Sequence, residues 1–139
     1  MVPFSLIIIK IIILNMNNSE IESKLNSITT ENYIWIIYLG IIITSWYANT
    51  LECNYFIYDD KHSKEKYQQI IIFIFSILLV VYIYFFKSSL NDIKNAKDLK
   101  TYKLTELSSI ASLLILISGI IFLYISYNDN DINVELAFN

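Results

Sequence analysis

The stretch that decides the fold is Tyr67–Phe86, YQQIIIFIFSILLVVYIYFF, which contains no charged residue. A bilayer's hydrocarbon core of ~30 Å is crossed by about 20 predominantly apolar residues in a helix. The segment therefore reads as a transmembrane span. Two further stretches of the same kind lie on either side of it: Tyr33–Leu51, YIWIIYLGIIITSWYANTL, and Leu107–Asn128, LSSIASLLILISGIIFLYISYN. Together they predict an all-α integral membrane protein. Its three transmembrane helices form a small bundle, with an N-terminal interfacial segment and short surface helices beside it.

Composition sets the limits of that reading. A chain of 139 residues holds a single membrane domain, residues 1–139, and no sizeable soluble one. Hydrophobic residues make up 55% and the mean hydropathy is +0.50, as expected when much of the chain sits in lipid. The net charge of −3 and the lack of a basic surface speak against nucleic acid as a partner. Cys53 is the sole cysteine, so no internal disulfide can form and the redox compartment cannot be read. Every basic residue apart from His62 is a lysine, with one proline and two glycines in the whole chain. Isoleucine, asparagine, lysine, tyrosine and phenylalanine dominate. That usage points to AT-rich coding, so the scarcity of small residues carries less weight.

The segment Met1–Asn15, MVPFSLIIIKIIILN, is too short to span comfortably. Lys10 would cost about 2.5–3.5 kcal/mol at the centre of a membrane helix. An interfacial anchor with Lys10 reaching the headgroups fits better than a fourth span. A cleaved signal peptide is not expected, since no basic residue precedes the apolar run and no alanine occurs before Ala48. Translation is expected to start at Met1 rather than Met16, because codons for Leu6–Asn15 supply no GG pair for a ribosome-binding core. Ser19-Glu20-Ile21-Glu22 then matches a capping box. Ile21, Leu25 and Ile28 form one stripe of a surface helix over about 19–29. That helix is expected to pack on its own bundle or to continue into the first span.

Lysines set the orientation. Lys87, Lys94, Lys97, Lys100 and Lys103 lie between the second and third spans, against Lys61, Lys64 and Lys66 between the first and second. The positive-inside rule places the N-terminus and the 87–106 connection in the cytoplasm of a multi-pass cell-membrane protein, and the 52–66 loop and the C-terminus outside. Five lysines also suit the 87–106 connection, helical from Ser89 to Leu104, to anionic headgroups. Aromatic residues frame the spans: Tyr33 and Trp35, Trp46 and Tyr47, Tyr82 to Phe86, and Tyr124 with Tyr127.

Helices in lipid associate by close backbone approach. Gly40, Thr44 and Ala48 give a row of small residues on the first span. Ser112, Gly119 and Ser126 recur every seven residues on the third, flanked by Ala111 and Ser118. A heptad of small residues suits a left-handed crossing. The second span, with Ser76 alone, is expected to face lipid most. Three helices enclose little interior, so a homo-oligomer or a membrane partner protein is expected ahead of a compact monomer.

The spans contain no Asp, Glu, Lys or His, the residues on which ion-coupled transporters and proton relays depend. Paired Gly or Pro breaks of the kind seen in transporters are also missing. Asp59, His62 and Glu65 fall at i, i+3, i+6, but one imidazole is a poor transition-metal set, and a solvated loop is the better reading. No nucleophile–base pair, cofactor motif or metal site can be assembled, so an enzyme is not expected. Asp129–Glu135 resembles the opening of an EF-hand loop but has Val134 where glycine is required. Ile132, Val134, Leu136 and Phe138 alternate with polar or small residues in the external acidic tail 129–139. This is the pattern of a strand that would pair with a partner or a second copy. A frayed tail on the membrane surface fits equally well. The function class expected is an interaction or structural subunit, or an anchor, acting through helix contacts. The alternative is an oligomeric pore: a channel, a holin-like protein or a membrane-disrupting effector lined by Ser, Thr and Gly.

Overall fold

A computed structural model describes residues 3–15 and 18–136. Within them lie four helices, α1 (Pro3–Asn15), α2 (Asn18–Tyr58), α3 (Lys61–Asn95) and α4 (Leu99–Asn128), and no strand. At 1.5 Å per residue, α2, α3 and α4 measure about 60, 50 and 45 Å. Each is long and apolar enough to cross a membrane, while α1 reaches about 20 Å. The described residues fall into two compact units, Met1–Gly40 and Ile41–Asn139.

In the first unit, Leu6, Ile7, Ile8, Ile9 and Ile11 of α1 are all exposed, as an apolar helix with no protein partner would be. α2 starts at Asn18, so Ser19 stands inside the first turn and not at the cap. The surface helix expected at 19–29 is not a separate element but the first turns of α2. From Glu20 to Tyr33 there is no glycine or proline to stop the helix. Thr29 and Thr30 return their hydroxyls to the carbonyls of Leu25 and Asn26, at 2.9 and 3.0 Å. Further along, Trp35 and Tyr38 meet edge to face at 5.7 Å.

The second unit is organised around α3. Ser63, Tyr67, Ile71, Ile74, Leu78, Val81 and Ser89 form its buried row, joined by Phe75. Most steps in the row are three or four residues, the period of a helix that presents one seam to its neighbours. This corrects the expectation that the second span faces lipid most. Side-chain size had been read as a sign of exposure. In fact the large residues of α3 fill the space, and small ones on the other helices receive them. The buried share of the candidate spans is 28% for α3 and 11% for α4, so α4 is the more exposed of the two. Burial of an isoleucine among helices gains close packing, since lipid tails are as apolar as the core.

The 52–66 loop is likewise replaced by helix. α2 continues to Tyr58, and Asp59 and Asp60 alone separate it from α3. Asp59 makes the turn with φ 51°, in the left-handed region. Asp60 caps α3, accepting from the His62 N–H at 3.1 Å and from the Ser63 hydroxyl at 2.7 Å. The 87–106 connection is helical except at Ala96–Asp98, where the Asp98 carboxylate accepts from the Thr101 N–H at 3.3 Å and starts α4.

Candidate functional site

On α4, Ser109, Gly119 and Ser126 are buried and Ser112 is half-buried, all facing α3, the helix α4 packs against. At Gly119 the reason for glycine is steric. A Cβ there would stand 2.9 Å from Cδ2 and 3.1 Å from Cε2 of Tyr82, and 3.6 Å from Cδ1 of Leu79. The Tyr82 ring thus occupies the space a side chain at 119 would need. One turn away on the same seam, Phe75 and Phe122 pack at 5.5 Å between ring centroids. Ala111 and Ser118, expected to flank the heptad, lie on the exposed side of α4 with Leu114, Ile121 and Tyr124.

The first-span row is unevenly buried. Ala48 is fully buried, Thr44 half-buried, and Gly40 exposed, with nothing within 4 Å of a Cβ built on it. The buried positions of α2 are Ile34, Ile41, Ala48 and Leu51. The seven-residue spacing of Ile34, Ile41 and Ala48 is visible in the sequence, but a search for small residues passes over it because two of the three are isoleucine.

Three hydroxyls of the apolar helices are committed to their own backbone. Ser76 donates to the carbonyl of Ile72, Ser112 to Ser108 and Ser126 to Phe122, at 2.7–2.9 Å. A serine used in this way packs as a small residue with its polar atom satisfied. Ser45 Oγ differs: it is enclosed and has no hydrogen-bond partner.

Beyond Asn128 the chain turns back. No strand forms from Ile132 to Leu136, and Phe138 lies outside the described residues. The backbone folds instead around the Asp129 carboxylate, which accepts from the Val134 N–H at 2.7 Å and from Asn133 Nδ2 at 3.3 Å. Asp129, just ahead of the alternating segment, thereby closes a loop with Asn133 and Val134 inside it, which an extended strand would forbid. Ile132 sits at φ 54°, a left-handed conformation that a β-branched residue adopts only under constraint. Lys64 of α3 pairs with Asp131 at 3.1 Å, and Gln68 Nε2 donates to Asn130 Oδ1 at 3.2 Å and to the Ser126 carbonyl at 3.3 Å. Leu136 is 5% exposed. Tyr67, Gln68, Ile71 and Ile125 meet Ile132, Val134 and Leu136 around a cavity of about 20 Å³, the room one water needs.

The electrostatics of this end follow from the contacts. Hydrogen bonding from Ser63 holds the Asp60 carboxyl below the usual range. The bond to Asp131 raises Lys64. Burial works to raise Asp129, but the donors from the 131–134 loop outweigh it and the net direction is down. Glu52, just past the first span, is raised by burial and by the nearby charge of Glu135. Lys64 and Lys66 lie 5.4 Å from the ring centroids of Tyr55 and Tyr47. Asp59, His62 and Glu65 do not form a metal set, nor do any other three described His, Cys, Asp or Glu residues. Comparison of the chain with protein-family models, curated proteins and solved structures returned no match.

Proposed function

We propose that this chain is a small multi-pass membrane protein that works through lateral helix contacts, as a subunit or anchor within a membrane assembly. The observation that carries this reading is the division of labour in α4. One face closes on α3 through Gly119 and Ser126, while the opposite face is apolar, exposed and set with the small residues Ala111 and Ser118. Small residues on a lipid-facing surface allow another helix close approach.

In the membrane the N-terminus and the α3–α4 turn face the cytoplasm, and the tail lies outside. The lysine distribution supports this orientation.

The test is disulfide trapping in native membranes in a Cys53→Ser background. Ser118→Cys is expected to give a crosslinked homodimer, or a heteromeric band if the partner differs, and Gly119→Cys to give neither. A Ser118→Cys chain that stays monomeric under oxidation removes α4 as the contact face. Depolarisation on expression, read with a voltage-sensitive dye, would replace the subunit reading with the pore.

A further inference from the structure

We propose that the outer face of α3 binds an anionic phospholipid, its acyl chains along Val80 and Ile83 and its phosphate at Lys87 and Lys94. The site presupposes that the chain spans a bilayer, as proposed above, and names a lipid that it takes there. Phe73, Val80, Lys87 and Lys94 follow one another at intervals of seven residues, which return a helix to nearly the same side. Ile83 and Leu90 complete the stripe, and all six residues are exposed. The buried row that includes Ile74, Leu78 and Val81 runs along the opposite side of the helix. Asp92 stands about 140° round the helix from Lys87, so no carboxylate interrupts the lysines on their own face.

The level of the lysines matches a lipid standing beside the helix. Ile83 and Val80 lie about 6 and 10 Å along the axis from Lys87. Both distances fall within the ~15 Å that the chains of one leaflet occupy. Lys87 follows the last apolar residue of the span, where its stem can lie on the helix and its ammonium reach the headgroups. Lys94 stands about 10 Å further out, near enough to add its charge to the attraction.

Charge and side-chain size together select a lipid rather than a second helix. Among the described residues neither Lys87 nor Lys94 is ion-paired, whereas Lys64 at the other end of α3 is held by Asp131. Two unpaired cations above an apolar face complement a phosphate above its chains. A partner helix would need close backbone approach, and Ser76 is the one small residue on the stripe. The exposed face of α4, with Ala111 and Ser118, meets that need better, so the two helices divide the surroundings between lipid and protein.

Fluorescence quenching on the full chain tests this. In a Trp35→Phe/Trp46→Phe background, Val80→Trp puts the sole tryptophan on the face. The protein is reconstituted in mixed phosphatidylcholine–phosphatidylglycerol vesicles, with the chains of one lipid or the other brominated. Quenching should show phosphatidylglycerol favoured about fivefold at this face, the attraction of one lysine near an anionic surface. Lys87→Gln/Lys94→Gln should abolish the preference, and Lys87→Arg/Lys94→Arg should keep it, which separates loss of charge from loss of fold. Equal quenching by the two lipids in the parent overturns the proposal. So does a preference that survives in the glutamine chain, or one lost equally in the arginine chain. A tryptophan quenched by neither lipid gives the face to another helix. A chain that does not float with the vesicles refutes the membrane reading itself.

Discussion

Adding one methyl group at Gly119 should loosen the α3–α4 seam, whereas the same change at Gly40 should not. In Gly119→Ala the new Cβ would begin 2.9 Å from Tyr82 Cδ2. Ordinary carbon contacts start near 3.4 Å, so the ring must retreat by about 0.5 Å. Tyr82 is half-buried between the helices, and Leu79 closes the other side at 3.6 Å, so the ring cannot move without disturbing neighbours. Overpacking of this sort costs about 1–3 kcal/mol. Replacing a helical glycine returns about 0.5–1 kcal/mol, leaving a net loss of about 1 kcal/mol. A Cβ built at Gly40 meets nothing within 4 Å, so Gly40→Ala keeps only the favourable part. The two variants should differ by about 1.5–2 kcal/mol. Reversible unfolding in mixed detergent micelles, followed by far-ultraviolet circular dichroism, measures both. Tyr82→Leu, combined with Gly119→Ala, should recover most of the loss, because the branched chain can turn away from the new methyl. If Gly119→Ala is as stable as Gly40→Ala, or Tyr82→Leu rescues nothing, close packing at this point is not what holds the two helices together.

Three further outcomes follow from the turns and the charges. Asp59→Gly should stabilise the α2–α3 turn by about 0.5–1 kcal/mol by relieving the left-handed φ of 51°, while Asp59→Val should destabilise it in the same unfolding assay. The Asp60 cap is complete above the ordinary carboxyl value of 3.8 and is lost as pH falls through its lowered value; Ser63→Ala, by removing the main cause of that lowering, should move the loss to higher pH, read by exchange at the His62 amide. A reporter fused to the C-terminus should be active outside the cytoplasmic membrane, and cytoplasmic activity would reverse the proposed orientation.

The helices were legible because hydrophobicity over twenty residues is a one-dimensional property, and Tyr67–Phe86 carries it without reference to any neighbour. The heptad Ser112, Gly119 and Ser126 was also readable, since seven residues return a helix to nearly the same face. What could not be read was which helix each face meets. Ser76 made α3 look poorly suited to packing, yet packing needs one small and one large partner, and Tyr82 against Gly119 is such a pair. Gly40 looked like a contact and stands exposed, because composition marks where approach is allowed and not where it occurs. The tail misled for a different reason. Its period-two pattern is genuine, but Asp129 offers a carboxylate to the Val134 N–H, and a local hydrogen bond closes a loop before a strand can find a partner. The long connections at 52–66 and 87–106 shrank to turns because charged residues continue a helix into water as readily as apolar ones continue it through lipid. Only aspartates placed to cap, Asp60 and Asp98, mark where the next helix begins.

The central position of α3 also orders the making of the molecule. Synthesis completes α2 before α3 and α4 exist. Its stretch from Tyr33 to Leu51 must therefore persist without those partners, and it carries no Asp, Glu, Lys or His. Once α3 and α4 follow, the three-residue break between them keeps their seam local in sequence, so a helical hairpin can close quickly. Assembly then joins α2 to a preformed pair, and damage to α3 would take away the helix on which α4 packs.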